Sequence, residues 1–442
     1  MSAAAPAVLL AQELPAPSTG AAAPLLTLDE AVSLALSDNR SLKNSALEVL
    51  KSDELLAIAR SKRLPHFHFD VLAGSLLQPF DFTFPAGSFG TYPATGPIPG
   101  TDAKITTPAQ FTTTATAALD QPLTQLHKIN LGIGLNELGS EIAREELRAT
   151  RQKVIAEVRS VYYDLVAAQT AVEAAREAWT TLIEVQRVTT EHEGQQAVLH
   201  ADALEVDARL AKSTYELSAA ENRLATQQER INDLLSRDLT TRFRVEPIPE
   251  HDEAGFTLES ARQRALDDRP EIRQAQLRER QADCDRRLAK AEYIPDLSFS
   301  IRYLGFNNFE VLPRNVETAG LYLSWEPFDW GRRRHRVAEK SRAADQARNG
   351  TQQTLSSVAI EVGMKYRSWS EASLLVPAAR TEYEAAKEQL RVMADRYREE
   401  AALLKDLLQS QSRTTQAEFQ YQQALSTYWG AMADLRRAMG EE

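Results

Sequence analysis

The sequence predicts a mainly α-helical fold with a small β part, built as a tandem duplication. Three observations carry this reading. "TLDEAVSLALSDNRSLKNSALEVLKSDELLAIARSKRLPHFHFDV" from Thr27 aligns without a gap with "TLESARQRALDDRPEIRQAQLRERQADCDRRLAKAEYIPDLSFSI" from Thr257, at an offset of 230. Further on, "VIAEVRSVYYDL" from Val154 matches "VAIEVGMKYRSW" from Val358, and "DALEVDARLAK" from Asp202 matches "DLLQSQSRTTQ" from Asp406, both at an offset of 204. In each copy, long Ala/Glu/Arg/Gln-rich stretches of helix-forming composition surround short segments of period-two alternation bounded by proline or glycine.

The organisation that follows is an N-terminal tail over residues 1–26, a first repeat over 27–236, a linker over 237–256 and a second repeat over 257–440. The tail has a short apolar stretch and small residues like the end of a secretory signal. Its first basic residue is Arg40, so the basic start of such a signal is missing, and the tail reads equally as an Ala/Pro-rich extension. Thr27 and Thr257 can each N-cap a helix with an acidic first turn, which is expected to run about 36 residues to Pro65 or Pro295.

Strands come next. Phe67, Phe69 and Val71 alternate with His66, His68 and Asp70, and Leu297, Phe299, Ile301 and Tyr303 alternate with Asp296, Ser298, Ser300 and Arg302. Returning strands are expected over Phe111 to Leu119 and Val316 to Trp325. The drop in offset between the two alignments places an insertion in the first copy, within the Pro/Gly/Thr-rich stretch between Gln78 and Gln110. Long helices follow, from about His127 to Glu193 and from Arg332 to Tyr397; each turns and is followed by a return helix ending near Ser236 or Gly440. A helix of about 65 residues measures about 100 Å, close to the summed length of the shorter helices beside it, so an elongated helical body is expected.

Four short amphipathic strands leave two open edges, which must be paired or covered. Segments that are apolar on one face and polar on the other suit a transmembrane barrel closed by several copies of the chain. In "LYLSWEPFDWGRRRHRVAEK", Trp325, Phe328 and Trp330 then form an interfacial aromatic belt, Pro327 and Gly331 end the strand, and Arg332, Arg333 and Arg334 start a helix beside anionic head groups.

The paired openings "TLDEAVSLALSDN" and "TLESARQRALDDRPEI", the joints "LPHFHFDV", "IPDLSFSI" and "EPFDWGRRRHRV", and the return-helix starts resemble those of the TolC-type outer-membrane efflux proteins over about residues 25 to 440. The resemblance implies a homotrimer in the outer membrane of a Gram-negative bacterium. Its four strands per chain close a twelve-stranded transmembrane β-barrel, and its helical hairpins form a hollow periplasmic α-barrel. It further implies a passive exit duct for efflux or type I secretion, docking a periplasmic adaptor (membrane fusion protein) and an inner-membrane pump of RND, ABC or MFS type. The adaptor-docking tips implied are Gly194, Gln195, Gln196, Ala197, Val198 and Leu199, with Glu399, Glu400, Ala401, Ala402, Leu403 and Leu404. The periplasmic gate implied is Asp406, its first-copy counterpart Asp202, and Tyr397. The sequence departs from the family pattern at Glu400, where a glycine is usual, and at Gln409, where the position one turn beyond Asp406 is usually acidic.

Other readings are narrower. His66, His68 and Asp70 share a strand face and suit a barrel lining better than a metal site, because ligands on one flat strand leave the coordination sphere incomplete. His192 and His200 bracket the first turn as solvated tip residues. The formal net charge of -11 argues against nucleic acid, a single cysteine excludes an intramolecular disulfide, and no apolar run is long enough for a transmembrane helix. No phosphate loop, nucleophile elbow or HExxH motif points to an enzyme or a cofactor. A soluble coiled-coil scaffold is the competing reading, which accounts for the helices and the charge but not for paired strands with aromatic ends.

Overall fold

The structure is a computed structural model that describes residues 24–194, 200–247, 255–309, 312–399 and 401–441. In chain order the described elements are β1 (Leu25–Leu26), α1 (Leu28–Asp38), α2 (Arg40–Ser61), β2 (His66–Ser75), β3 (Phe80–Phe84), β4 (Thr91–Tyr92), β5 (Gly96–Pro97), β6 (Ala103–Thr107), β7 (Phe111–Pro122), α3 (Gln125–Gly194) and α4 (His200–Leu234). The second half follows with β8 (Arg244–Val245), α5 (Leu258–Asp268), α6 (Pro270–Ala291), β9 (Asp296–Asn307), β10 (Asn315–Ser324), α7 (Arg332–Arg398) and α8 (Leu404–Ala438). Two compact units form, one from Met1–Leu42, Arg151–Ala265 and Glu361–Glu442, the other from Lys43–Thr150 and Leu266–Ile360. Each unit takes segments from both repeats.

The repeats agree at the level of single residues. Thr27 Oγ1 accepts from the Glu30 N–H (3.3 Å) and Thr257 Oγ1 from the Ser260 N–H (3.2 Å), so both threonines cap as their position predicts. Behind the caps, Ala31 and Ala35 are buried, and so are their counterparts Ala261 and Ala265. The first core packs these α1 alanines with Val154, Val158 and Leu165 of α3, Ile231 of α4 and Phe243 beside β8. The Tyr162 hydroxyl, also in this core, donates to the Leu26 carbonyl at 2.9 Å.

One expectation needs correction. The helix that opens each repeat is not continuous to the proline but breaks after 11 residues, at Asn39 and at Arg269. Asn39 leaves helical geometry (φ -56, ψ 126), and its Oδ1 accepts from the N–H groups of Ser41 (2.9 Å) and Leu42 (3.2 Å), capping a new helix. In the second repeat Pro270 has no N–H to give and pushes Arg269 into extended geometry (ψ 122), so it begins α6 instead of continuing α5.

The insertion is also more ordered than its composition predicts. β3 and β6 pair from Phe80↔Thr107 to Phe84↔Ala103, and Lys104 bridges to Asp81 at 2.9 Å. In the first unit, β1 and β8 add a two-residue parallel pair that joins the tail to the linker.

Candidate functional site

The second unit holds one four-stranded antiparallel sheet in the order β10-β9-β7-β2. Residues directly opposite in an antiparallel ladder share a face, so the register sorts every side chain. One face carries Phe67, Leu119, Ile301 and Ala319 in one row, with Phe69, Ala117 and Tyr303 in the next and Phe299 beside Leu321. The other carries His66, Asp120, Ser300 and Gly320, then His68, Ala118, Arg302 and Thr318. The apolar face is uncovered within the chain: Phe67 is 65% exposed and Leu321 67%. On the polar face a hollow of about 930 Å³ opens, lined by His66, Asp120, Ser298, Ser300 and Arg302. The His66 and His68 rings stack at 5.9 Å, and His68 Nδ1 lies 3.9 Å from Asp120 Oδ2. Among the described residues no group of three or more potential metal ligands forms.

The joints between sheet and helices are built from side chains that sequence reasoning did not single out. The Thr124 hydroxyl donates to the Pro295 carbonyl (2.6 Å) and accepts from the Leu297 N–H (2.8 Å), while Lys128 Nζ bridges to Asp296 Oδ1 at 2.6 Å. Asp296 follows Pro295 in the chain, but nothing in the sequence ties Thr124 to Pro295, 171 positions away, or Lys128 to Asp296, 168 positions away.

At the other joint Trp325, Phe328 and Trp330 are all exposed, and Trp330 (φ 55) and Gly331 (φ 88) turn the chain through left-handed geometry. Asp329 accepts from the N–H groups of Arg333 (3.0 Å) and Gly331 (3.1 Å), and these contacts hold its carboxyl below the usual carboxylate range. Arg332 and Arg333 both pair with Glu326, and Arg333 also lies over the Tyr293 ring, so two of the three expected head-group arginines are already paired within the turn. Arg334 is exposed.

The first unit carries the turns. α7 ends at Arg398, Leu403 is the N-cap of α8 without a side-chain cap bond, and Asp406 lies in the first helical turn. Asp406 is exposed, as are Gln409 and, at 38%, Tyr397; Leu403 is 70% exposed. Among the described residues Asp406 makes no side-chain hydrogen bond or ion pair, so it is not spent as a helix cap. Glu399, Ala401 and Ala402 form the turn, with the Ala401 N–H donating to the Arg396 carbonyl at 2.8 Å. The expected tip residues Gln195, Gln196, Ala197, Val198, Leu199 and Glu400 lie outside the described residues, as do the side chains of His192, Gly194, Asp202 and Leu404.

A groove of about 1320 Å³, lined at one end by Leu408 and Gln409, runs over α3, α4 and α8 on a floor of Ala167, Ala171, Ala174 and Ala178. Nearby, burial, with Glu177 adding, pushes the Glu418 carboxyl up, against the Tyr383 hydroxyl and Lys387 that pull it down. This α3–α7–α8 contact is invisible to spacing because its residues are 241 positions apart at the extremes.

Comparison with known proteins was made on sequence and on structure. Residues 261–441 match the family model described as outer membrane efflux protein. No curated protein matches the sequence. Among solved structures, the chain is similar to the outer-membrane channel OprN at 20% identity and a TM-score of 0.75, covering 94% of this chain and 90% of that one. It is also similar to the CmeC outer membrane channel of Campylobacter jejuni (18%, TM-score 0.77, covering 93% and 85%) and to the open state of the MtrE outer membrane channel of Neisseria gonorrhoeae (18%, TM-score 0.71, covering 94% and 89%). The matched segment is the second repeat, and the first repeat reproduces its caps, buried alanines and hairpin. Over its second repeat the chain therefore matches the outer membrane efflux protein family, and its fold is that of outer-membrane channels such as OprN and CmeC.

Proposed function

We propose that three copies of this chain close into the exit duct of a tripartite assembly, receiving cargo from a periplasmic adaptor and an inner-membrane pump. The observation that supports this best is the sheet. Its four strands alternate in direction, so β10 at one edge runs opposite to β2 at the other, and copies laid side by side continue the antiparallel ladder. Twelve strands closed in this way have no free edge, turn the apolar face to lipid and the polar face to the lumen.

The turns between α3 and α4 and between α7 and α8 are the proposed adaptor contacts, and Asp406, with Asp202, Tyr397 and Gln409, the proposed entrance. Leu403 supports the first assignment, because an apolar side chain 70% exposed on a turn gains by burial against another helix. Leu403→Asp should leave membrane insertion and oligomer intact and abolish efflux in cells that depend on this channel. Normal efflux with Leu403→Asp would move the docking surface elsewhere.

A further inference from the structure

We infer that the hollow on the polar face of the sheet is a binding site for small organic anions, held by Arg302 and Lys62 on their way through the lumen. The inference rests on the closed duct proposed above, which turns this face inward, and it adds the class of solute that the duct holds.

The room comes from what one position lacks. In the row nearest the helices Ser300 lies between Asp120 of β7 and Gly320 of β10, and in the next row Arg302 lies between Ala118 and Thr318. A Cβ built on Gly320 would meet nothing within 4 Å. The space over Ser300 and Gly320 is therefore open. With the end of α2 and the start of α3 it makes the hollow of about 930 Å³, within the range of pockets that hold small molecules.

The chemistry of the wall selects the charge of the guest. Lys62 and Arg302 are the cations that line the hollow, with His66 as its imidazole and Asp120 as its carboxylate. Asp120 is already engaged, because its Oδ2 faces His68 Nδ1 at 3.9 Å. Asp70, the other carboxylate of this face, lies one row beyond His68 and does not line the hollow. Elsewhere in the same unit cations are matched to acids, Lys128 to Asp296, Lys104 to Asp81 and Arg333 to Glu326. Arg302 and Lys62 are different. Both are exposed, and among the described residues neither makes a side-chain hydrogen bond or ion pair.

Two cations against one engaged carboxylate leave the hollow positive in a chain of net charge -11. An unpaired guanidinium offers a planar fork that fits two oxygens of a carboxylate, sulfonate or phosphate. Ser298, Ser300 and Thr318 stand on the same face as Arg302 and add hydroxyl donors. Leu64, Pro65 and Ile129 give the hollow an apolar side, which favours a solute with an apolar body behind its anionic head over an inorganic ion. Three copies around one axis would set three such hollows in a single lumen, where walls of low dielectric concentrate their field.

The test records single channels of the full-length protein in planar bilayers at pH 7.5. Benzoate, added on the side of the strands, is the probe, and benzamide is its uncharged counterpart. Benzoate should reduce the current saturably and benzamide should not. Arg302→Gln should raise the benzoate concentration for half-block at least about tenfold, whereas Arg302→Lys, which keeps the charge and loses the fork, should raise it less. Gly320→Leu reaches the same end by another route, since it keeps every charge and fills the room, and it should weaken the block as well. No block by benzoate, equal block by benzamide, or a block unchanged in both Arg302→Gln and Gly320→Leu overturns the site; the duct still stands, because the channels conduct. A wild-type protein that forms no channels and has the native mass of one chain overturns the duct and the site together.

Discussion

Glu418 shows how a single residue is tuned by its neighbours. It is half-buried where α3, α7 and α8 meet, it faces Glu177, and its carboxyl is pushed up mainly by burial. For an acid whose pKa is higher folded than unfolded, the favourable contribution is complete at pH values below the ordinary carboxylate range and is lost as pH rises through the raised value. Glu418 therefore weakens the helix contact at neutral pH. Glu418→Gln should raise the thermal midpoint by a few degrees at pH 7.5, and the gain should vanish at pH 4; an equal gain at both pH values would show that charge is not the cause. Asp406 differs in having no side-chain hydrogen bond or ion pair among the described residues. If three copies face one axis, their repulsion must be relieved by cations or protons, so Asp406→Ala should reduce cation preference in planar-bilayer recordings at low salt. Unchanged conductance and selectivity would remove Asp406 from the entrance.

At the scale of elements, α1 and α2 are separated by one residue that does two tasks. Asn39 caps α2 through Oδ1, and its Nδ2 donates to the Leu234 carbonyl at 2.9 Å at the end of α4. Removing both bonds from a buried site with Asn39→Ala should cost about 1–3 kcal/mol, read as a lower melting midpoint and as faster amide exchange at Ser41 and Leu42. Unaltered exchange at those amides would mean the break is set elsewhere. The break itself was not legible in the sequence, because Ala31, Ala35 and Leu42 continue one helical period across it. Pro270 marked the equivalent point in the second repeat, and the alignment could have transferred it. The strands and their joints were legible, since period-two alternation and prolines survive in both copies. The β1–β8 pair and the β3–β6 hairpin were not, because two- and five-residue strands are chosen by distant partners more than by local pattern. The order β10-β9-β7-β2 likewise needs three dimensions. The resemblance proposes Asp406 for the entrance and Leu403 for a docking tip, and both side chains are exposed.

For the whole molecule, the sheet states the requirement and the symmetry states the solution. One chain presents an uncovered apolar face, a polar face with a hollow, and two strand edges running in opposite directions, a combination that is unstable in water alone and consistent with an outer-membrane channel closed by copies of itself. The soluble scaffold, the competing reading of the helices and charge, leaves Phe67, Phe69, Leu321 and Leu323 in water without purpose. The most direct measurement is the native mass of the detergent-solubilised protein with bound detergent subtracted. The account predicts three chains of 49.2 kDa each. A single chain of that mass, stable in buffer without detergent, would contradict it.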